Sequence, residues 1–298
     1  MAIIYNDYID GTGNGPTWHV KIRPPSRIVR PYYRETALAA ELIWEKKLGK
    51  IHVCLSGGMD SEYALAVFQS LGMEAIPVIL RTKYNAHDIK YAFKYCENNN
   101  LSPIVIDLDF DYFVKSGQFL DIATKTNCAA YQYIATMWLT NLIGGTVITG
   151  ETDPHLYLGK DGKWYVDEIE PVFCHLKYYE MNDIHTMPYM IRHSPEQFLA
   201  FLLEPTIKKL VNNEIPGKTG SYSSKVHVYN NQVKFKIEDR KKQNGYEVVE
   251  TSPIFQHPDM QLVKSWKDKF WGSSNFEYNY LVNTLLAGEI AEGTNGQD

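Results

Sequence analysis

Seven consecutive residues, Leu55-Ser56-Gly57-Gly58-Met59-Asp60-Ser61, combine the types that chemistry on an anion needs. Two adjacent glycines let the backbone turn tightly, and the amides at the start of a following helix have no intrahelical partner. Such amides point at whatever lies in front of them, and Ser56 and Ser61 add hydroxyl donors. This is a cradle for phosphate. Asp60 cannot face phosphate unaided, which calls for a Mg²⁺ ion between the two. No lysine of the G-K-[S/T] type is present in the loop, which argues against ordinary γ-phosphoryl transfer. A second group, Thr149-Gly150-Glu151-Thr152-Asp153, sets two carboxylates after an apolar run, where they could bind metal or move protons. Candidate cations are the cluster Arg240-Lys241-Lys242, Lys218 and Lys225, although a charge run on a hairpin is usually a solvated face.

A cradle of this kind needs a strand before it and a helix after it. Residues 51–55 read as a short apolar strand, and 61–71 as a helix closed by Gly72. Residues 75–80 predict a second strand, 87–98 a helix, 103–107 a third strand, 127–142 a long helix and 146–149 a fourth strand. Strands separated by helices imply an α/β fold, a parallel sheet with helices on both faces. Ligands bind at the carboxyl ends of such strands, so the loop after Leu55 and the carboxylates after Thr149 should share a rim.

The flanks read differently. Residues 1–50 form an N-terminal appendage: strand-like 2–8, a turn at 10–15, a strand at 18–22 and a helix at 35–48. Gly11, Gly13 and Gly15 are followed by no helical pattern, so they read as a hairpin loop and not as a dinucleotide motif. Past Gly150, Ser194-Pro195-Glu196 opens a helical stretch to about 212, with a break at Pro205. Residues 225–250 read as strands around Asn230-Asn231 and Asn244-Gly245 turns, 259–287 as helix, and 293–298 as a frayed tail. The expected division is an appendage over 1–50, a nucleotide-binding core over 51–155, an acceptor region over 156–292, and the tail.

The loop resembles the PP-loop motif Ser-Gly-Gly-x-Asp-Ser of the ATP pyrophosphatase superfamily, the adenine nucleotide alpha hydrolase-like proteins. Members include asparagine, NAD, argininosuccinate and GMP synthetases, tRNA-modifying lysidine synthetases and thiolases, and 7-cyano-7-deazaguanine synthases. The resemblance covers about residues 50–155 and implies a HUP/Rossmann-like domain with small N-terminal and C-terminal additions. It implies that Leu55, Ser56, Gly57, Gly58, Asp60 and Ser61 bind ATP, with adenine against the backbone near Leu55, Leu80 and Arg81. It also implies cleavage between the α- and β-phosphates: a substrate oxygen attacks the α-phosphate, pyrophosphate leaves, and an amine, ammonia or sulfur nucleophile attacks the adenylated substrate.

The segment Gly150-Glu151-Thr152-Asp153 is similar to the Gly-Glu-Gly-x-Asp-Glu motif of asparagine and β-lactam synthetases, although Thr152-Asp153-Pro154-His155 replaces its remainder. The likeness implies that Glu151 is an acid/base partner and that Asp153 shares Mg²⁺ with Asp60. Arg240-Lys241-Lys242 is similar to the Arg-x-Lys segment of the same enzymes, which would make Lys242 the catalytic cation and Arg240 its support; Lys218 and Lys225 are the alternatives. The implied enzyme is a ligase that forms C–N bonds through an adenylated carboxylate or carbonyl. A deazapurine-forming or tRNA-modifying enzyme with the same activation is one alternative, and a non-catalytic ATP-binding module is another.

Composition mainly excludes. A net charge of −5 over 298 residues argues against a wholesale nucleic-acid surface, so a small-molecule acceptor is expected ahead of a nucleic acid. No apolar run approaches the roughly 18 residues of a membrane span, and the start lacks a signal-peptide layout, so the expectation is a cytoplasmic protein. Cys54, Cys96, Cys128 and Cys174 are dispersed, and Cys174-His175 with His185 and His193 matches no zinc spacing. That disfavours the zinc-containing deazaguanine synthases and the iron–sulfur thiolases. Ala2 stands where a glutaminase domain would place its cysteine, so ammonia is expected from a separate amidotransferase or another source. The 21 tyrosines could stack on bases but suit the edges of a core better.

Overall fold

The computed structural model describes residues 8–13, 15–150, 154–169, 173–187, 190–215, 222–238 and 247–295. Glu151, Asp153, Lys218, Arg240, Lys241 and Lys242 lie outside the described residues.

The chain opens on an antiparallel hairpin, β1 (Ile9–Thr12) and β2 (His19–Ile22), whose Val20 and Ile22 alternate into the core. Helix α1 (Tyr32–Lys46) follows. Then come β3 (Ile51–Cys54), α2 (Met59–Ser70), β4 (Ala75–Arg81), α3 (Ala86–Asn98) and β5 (Ile104–Asp107). Helices α4 (Phe110–Lys115), α5 (Gln118–Thr126) and α6 (Tyr131–Thr140) lead to β6 (Thr146–Thr149). The strands pair in the order β5-β4-β3-β6, all parallel.

This is the expected α/β, Rossmann-like sheet, and side-chain alternation shows why it is covered twice. Ile51, Val53, Ile79 and Ile148 enter one core, with Tyr63 and Phe68 of α2 and Ala92 of α3. Cys54, Val78 and Val147, each one residue out of phase, enter the other, with Phe119 of α5 and Ile134 of α6. Successive strand residues point to opposite faces, so an uninterrupted apolar strand serves two layers. Fully burying each large apolar side chain contributes roughly 1.5–3 kcal/mol. The sheet grows outward from β3 to β5, then returns across β3 to place β6. Its direction therefore reverses between β3 and β6, and a crevice opens at their carboxyl ends.

The remaining elements are β7 (His155–Leu158), β8 (Trp164–Ile169), α7 (Cys174–Met181), α8 (Pro195–Leu202), α9 (Pro205–Val211) and α10 (Tyr222–Asn230). After them come α11 (Glu247–Glu250), α12 (Pro258–Ser265), α13 (Lys267–Phe270), β9 (Ser273–Glu277), α14 (Tyr278–Leu286), β10 (Ala291–Glu292) and β11 (Thr294–Asn295). The start of α8 is as expected: the Ser194 side chain accepts from the Gln197 amide and Pro195 sits in the first turn. The break before Pro205 is also present.

Four expectations are corrected. The long helix over 127–142 begins only at Tyr131, because Asn127 takes a left-handed φ of +59° that ends α5. The stretch 225–230 is helical and not a strand. Its Lys-Val-His-Val-Tyr alternation imitates a strand, but Lys225 and Tyr229, one helical turn apart, both reach α2, and tertiary contact overrides the local pattern. The helix expected over 259–287 is interrupted by β9, which follows Gly272. A β-carbon at Gly272 would lie 2.2 Å from Trp18 Cβ and 2.3 Å from the Gly15 carbonyl oxygen, so the chain must pass close to the N-terminal hairpin there. The tail is paired through residue 295: β10 joins β2, and β11 joins β9 in a second sheet of order β11-β9-β8-β7.

Candidate functional site

The Leu55 amide donates to the Val78 carbonyl at 2.7 Å and extends the parallel ladder one residue past β3. The chain then leaves the sheet. Gly57 has φ +87°, and a β-carbon there would lie 2.2 Å from the Asp88 carbonyl oxygen in the first turn of α3. Both the conformation and the space demand glycine. Gly58 is the extended N-cap of α2 and supplies no side-chain cap, so the first-turn amides of that helix keep their anion-binding capacity.

The two serines divide their work. Ser61 is buried, and its hydroxyl donates to the Gly58 carbonyl at 2.9 Å. Ser56 is exposed; its Oγ accepts from the Gly58 amide at 3.2 Å and lies 3.3 Å from Ser61 Oγ. Ser61 shapes the loop, and Ser56 stands at its open side.

The far wall comes from β6. A β-carbon on Gly150 would lie 2.3 Å from Ser61 Cα and 2.5 Å from its amide nitrogen. Backbone therefore meets backbone across the crevice between β3 and β6. Thr149 Oγ1, just before it, is buried and has no hydrogen-bond partner among the described residues.

Asp60, in the first turn of α2, is held from α10. Lys225 Nζ lies 2.8 Å from Asp60 Oδ1 and 2.9 Å from Oδ2, and the lysine side chain is only 4% exposed. The Tyr229 hydroxyl donates to Asp60 Oδ1 at 2.7 Å. The Tyr229 ring stacks on Tyr63 of α2 at 4.0 Å with a 5° interplanar angle, and the Tyr63 hydroxyl donates to Gln232 Oε1 at 2.7 Å. Burial pushes the Tyr63 phenol well above its ordinary range, so it stays a neutral donor. Of the cations considered from sequence, Lys225 is the one the described residues place at the loop.

Leu80 and Arg81 end the neighbouring strand. The Leu80 carbonyl accepts from Asn85 Nδ2 at 2.9 Å. The exposed Arg81 guanidinium grips Asp107 of β5 at 2.6 and 2.8 Å, on the side away from β3. The bond to Arg81 holds the Asp107 carboxyl below its usual range. Beyond the ends of β4 and β5 the same rim carries a cavity of about 510 Å³ lined by Lys83, Leu108, Asp109, Phe110, Asp111, Tyr112 and Lys115. On the other flank, past residues 151–153, His155 Nδ1 lies 2.6 Å from Asp167 Oδ1 across the β7–β8 hairpin.

The Mg²⁺ implied by the resemblance would rest on Asp60 and Asp153. Asp153 is outside the described residues, and both oxygens of Asp60 are engaged by an ammonium and a phenol. Among the described residues no group of three or more His, Cys, Asp or Glu could hold a metal ion. The described part of the site therefore holds a lysine against Asp60 where the resemblance implies a metal ion.

Sequence reasoning located the loop and missed the residues that support it. Gly150 had a legible signal, a glycine directly after a strand. Tyr63 and Tyr229 had none, since their pairing joins helices 166 positions apart and depends on how α10 packs.

No protein-family model matches the chain, and no curated protein matches it. Among solved structures, that of NMN synthetase from Francisella tularensis aligns with 71% of this chain and 97% of its own, at 15% identity and a TM-score of 0.28. A likeness at that level carries no argument, and the fold is established by the parallel β5-β4-β3-β6 order itself.

Proposed function

We propose that the protein is an ATP-dependent synthetase that adenylates an acceptor carboxylate or carbonyl, releases pyrophosphate, and lets an amine or ammonia displace AMP. The observation that carries this reading is the loop of residues 55–61, which presents the uncapped amides of α2 at the crevice between β3 and β6. Ser56, Gly57 and Gly58 would receive the polyphosphate, with Ser61 holding the loop in shape. The loop itself contains no lysine to follow a γ-phosphate, in keeping with attack at the α-phosphate. Among the described residues a cation reaches the loop from elsewhere in the chain, Lys225 on Asp60. Negative charge grows on the α-phosphate during attack, and prearranged amides and a fixed cation stabilise it better than water, which must reorganise.

The test is product analysis. The protein is incubated with ATP and Mg²⁺ against fractionated metabolites and, separately, tRNA. AMP and pyrophosphate formed in response to one fraction support the reading and identify the acceptor class. Accumulation of ADP overturns it.

A further inference from the structure

We propose that Lys225 is the counter-cation of Asp60 and the group that meets the polyphosphate, so that this loop takes up ATP without a metal ion on Asp60. The inference rests on the ATP-binding reading of the loop and adds what neutralises its carboxylate. A carboxylate beside a phosphate cradle repels the ligand unless a positive charge stands between them. In this chain that charge belongs to the protein: Lys225 Nζ straddles both Asp60 oxygens at 2.8 and 2.9 Å. Of the roughly four lone-pair sites of the carboxylate, Lys225 takes two and Tyr229 a third at 2.7 Å, so a divalent ion gripping both oxygens would have to displace one of them.

The lysine's position is built. Lys225 and Tyr229 lie one turn apart on α10, Tyr229 is stacked on Tyr63, and Tyr63 is anchored to Gln232. A buried ammonium is stable only beside an anion, and Asp60 supplies one before ligand arrives. When the polyphosphate enters, the ammonium would stand between two anionic groups and offset part of the repulsion between them. Asp60 thus keeps a lysine in place for the phosphate.

The experiment is calorimetric titration of the full chain with ATP, once in Mg²⁺ and once in excess EDTA, for wild type, Lys225→Met, Lys225→Arg and Asp60→Asn. Wild type should bind in EDTA within about threefold of its affinity in Mg²⁺, and Lys225→Met should lose about tenfold or more in EDTA. Lys225→Arg should retain most of the affinity. Asp60→Asn should weaken binding to the same extent in EDTA and in Mg²⁺, because it releases Lys225, whereas a metal-ligand role for Asp60 requires the loss to appear in Mg²⁺ alone. If Lys225→Met does not fold, the metal independence of the Asp60→Asn loss carries the test. Binding by wild type that requires Mg²⁺ and is unchanged in Lys225→Met overturns this proposal and leaves the ATP reading standing. Absence of ATP binding by wild type under both conditions overturns both.

Discussion

Gly150 and Ser61 touch backbone to backbone: a β-carbon at 150 would lie 2.3 Å from Ser61 Cα. The contact joins the end of β6 to the first turn of α2, so the width of the crevice is set by the absence of one side chain. Gly150→Ala should push α2 away from β6 and weaken ATP binding. It should also cost about 1–3 kcal/mol of stability, the usual penalty of overpacking. Thermal unfolding and calorimetry on the same variant check both. Unchanged affinity at reduced stability would show that the crevice tolerates widening.

The two glycines of the loop should respond differently. Gly57 has φ +87° and faces the Asp88 carbonyl, whereas a β-carbon on Gly58 would meet only Ser56 Oγ at 3.3 Å. Gly57→Ala is therefore expected to abolish ATP binding, and Gly58→Ala to reduce it only a few-fold. Equal losses in the two variants would contradict the geometry described for the loop.

Tyr229→Phe keeps the stack on Tyr63 and removes only the hydroxyl that reaches Asp60. A hydrogen bond to a charged group contributes about 1.5–3 kcal/mol, and partial solvent access at Asp60 puts the expected loss near the lower end. Urea unfolding should show a lower midpoint with an unchanged slope. In Asp60→Asn the same substitution should cost less, because the acceptor is no longer charged.

Glu196 supplies a pH-dependent contribution. Burial pushes its carboxyl up, but its own amide, the Ser26 amide and hydroxyl, and the Arg27 charge outweigh that and hold it below its usual value of 4.5. A depressed folded-state value means stability present above the unfolded value and lost as pH falls through the folded one. The difference in unfolding free energy between wild type and Glu196→Gln should thus be full at neutral pH and shrink as pH falls below 4.5. A gap that stays constant down to pH 3, or about that, would assign the effect to packing alone.

Much of the cradle was legible because it is local. A strand, two glycines and a helix follow one another within 20 residues, from Ile51 to Ser70, and each is specified by neighbours that the chain itself places side by side. The same holds for the succession of strands and helices up to Thr149, and for the start of α8, where Ser194 caps an amide three residues on. Periodicity also misled where two patterns coincide. Val226 and Val228 alternate as a strand would, and nothing inside that segment says that Lys225 and Tyr229 will be drawn to one carboxylate on α2.

What the sequence alone determined, then, is the strand–glycine–helix loop of residues 55–61 and the α/β alternation that carries it, since both depend on spacing along the chain. The tertiary structure decided that β6 returns beside β3, that Gly150 closes on Ser61, and that the cation facing Asp60 is Lys225. Asp60 and Lys225 stand 165 positions apart. An ion pair forms through space, over distances shorter than one helical turn, and only the packing of α10 against α2 brings those two charges within reach.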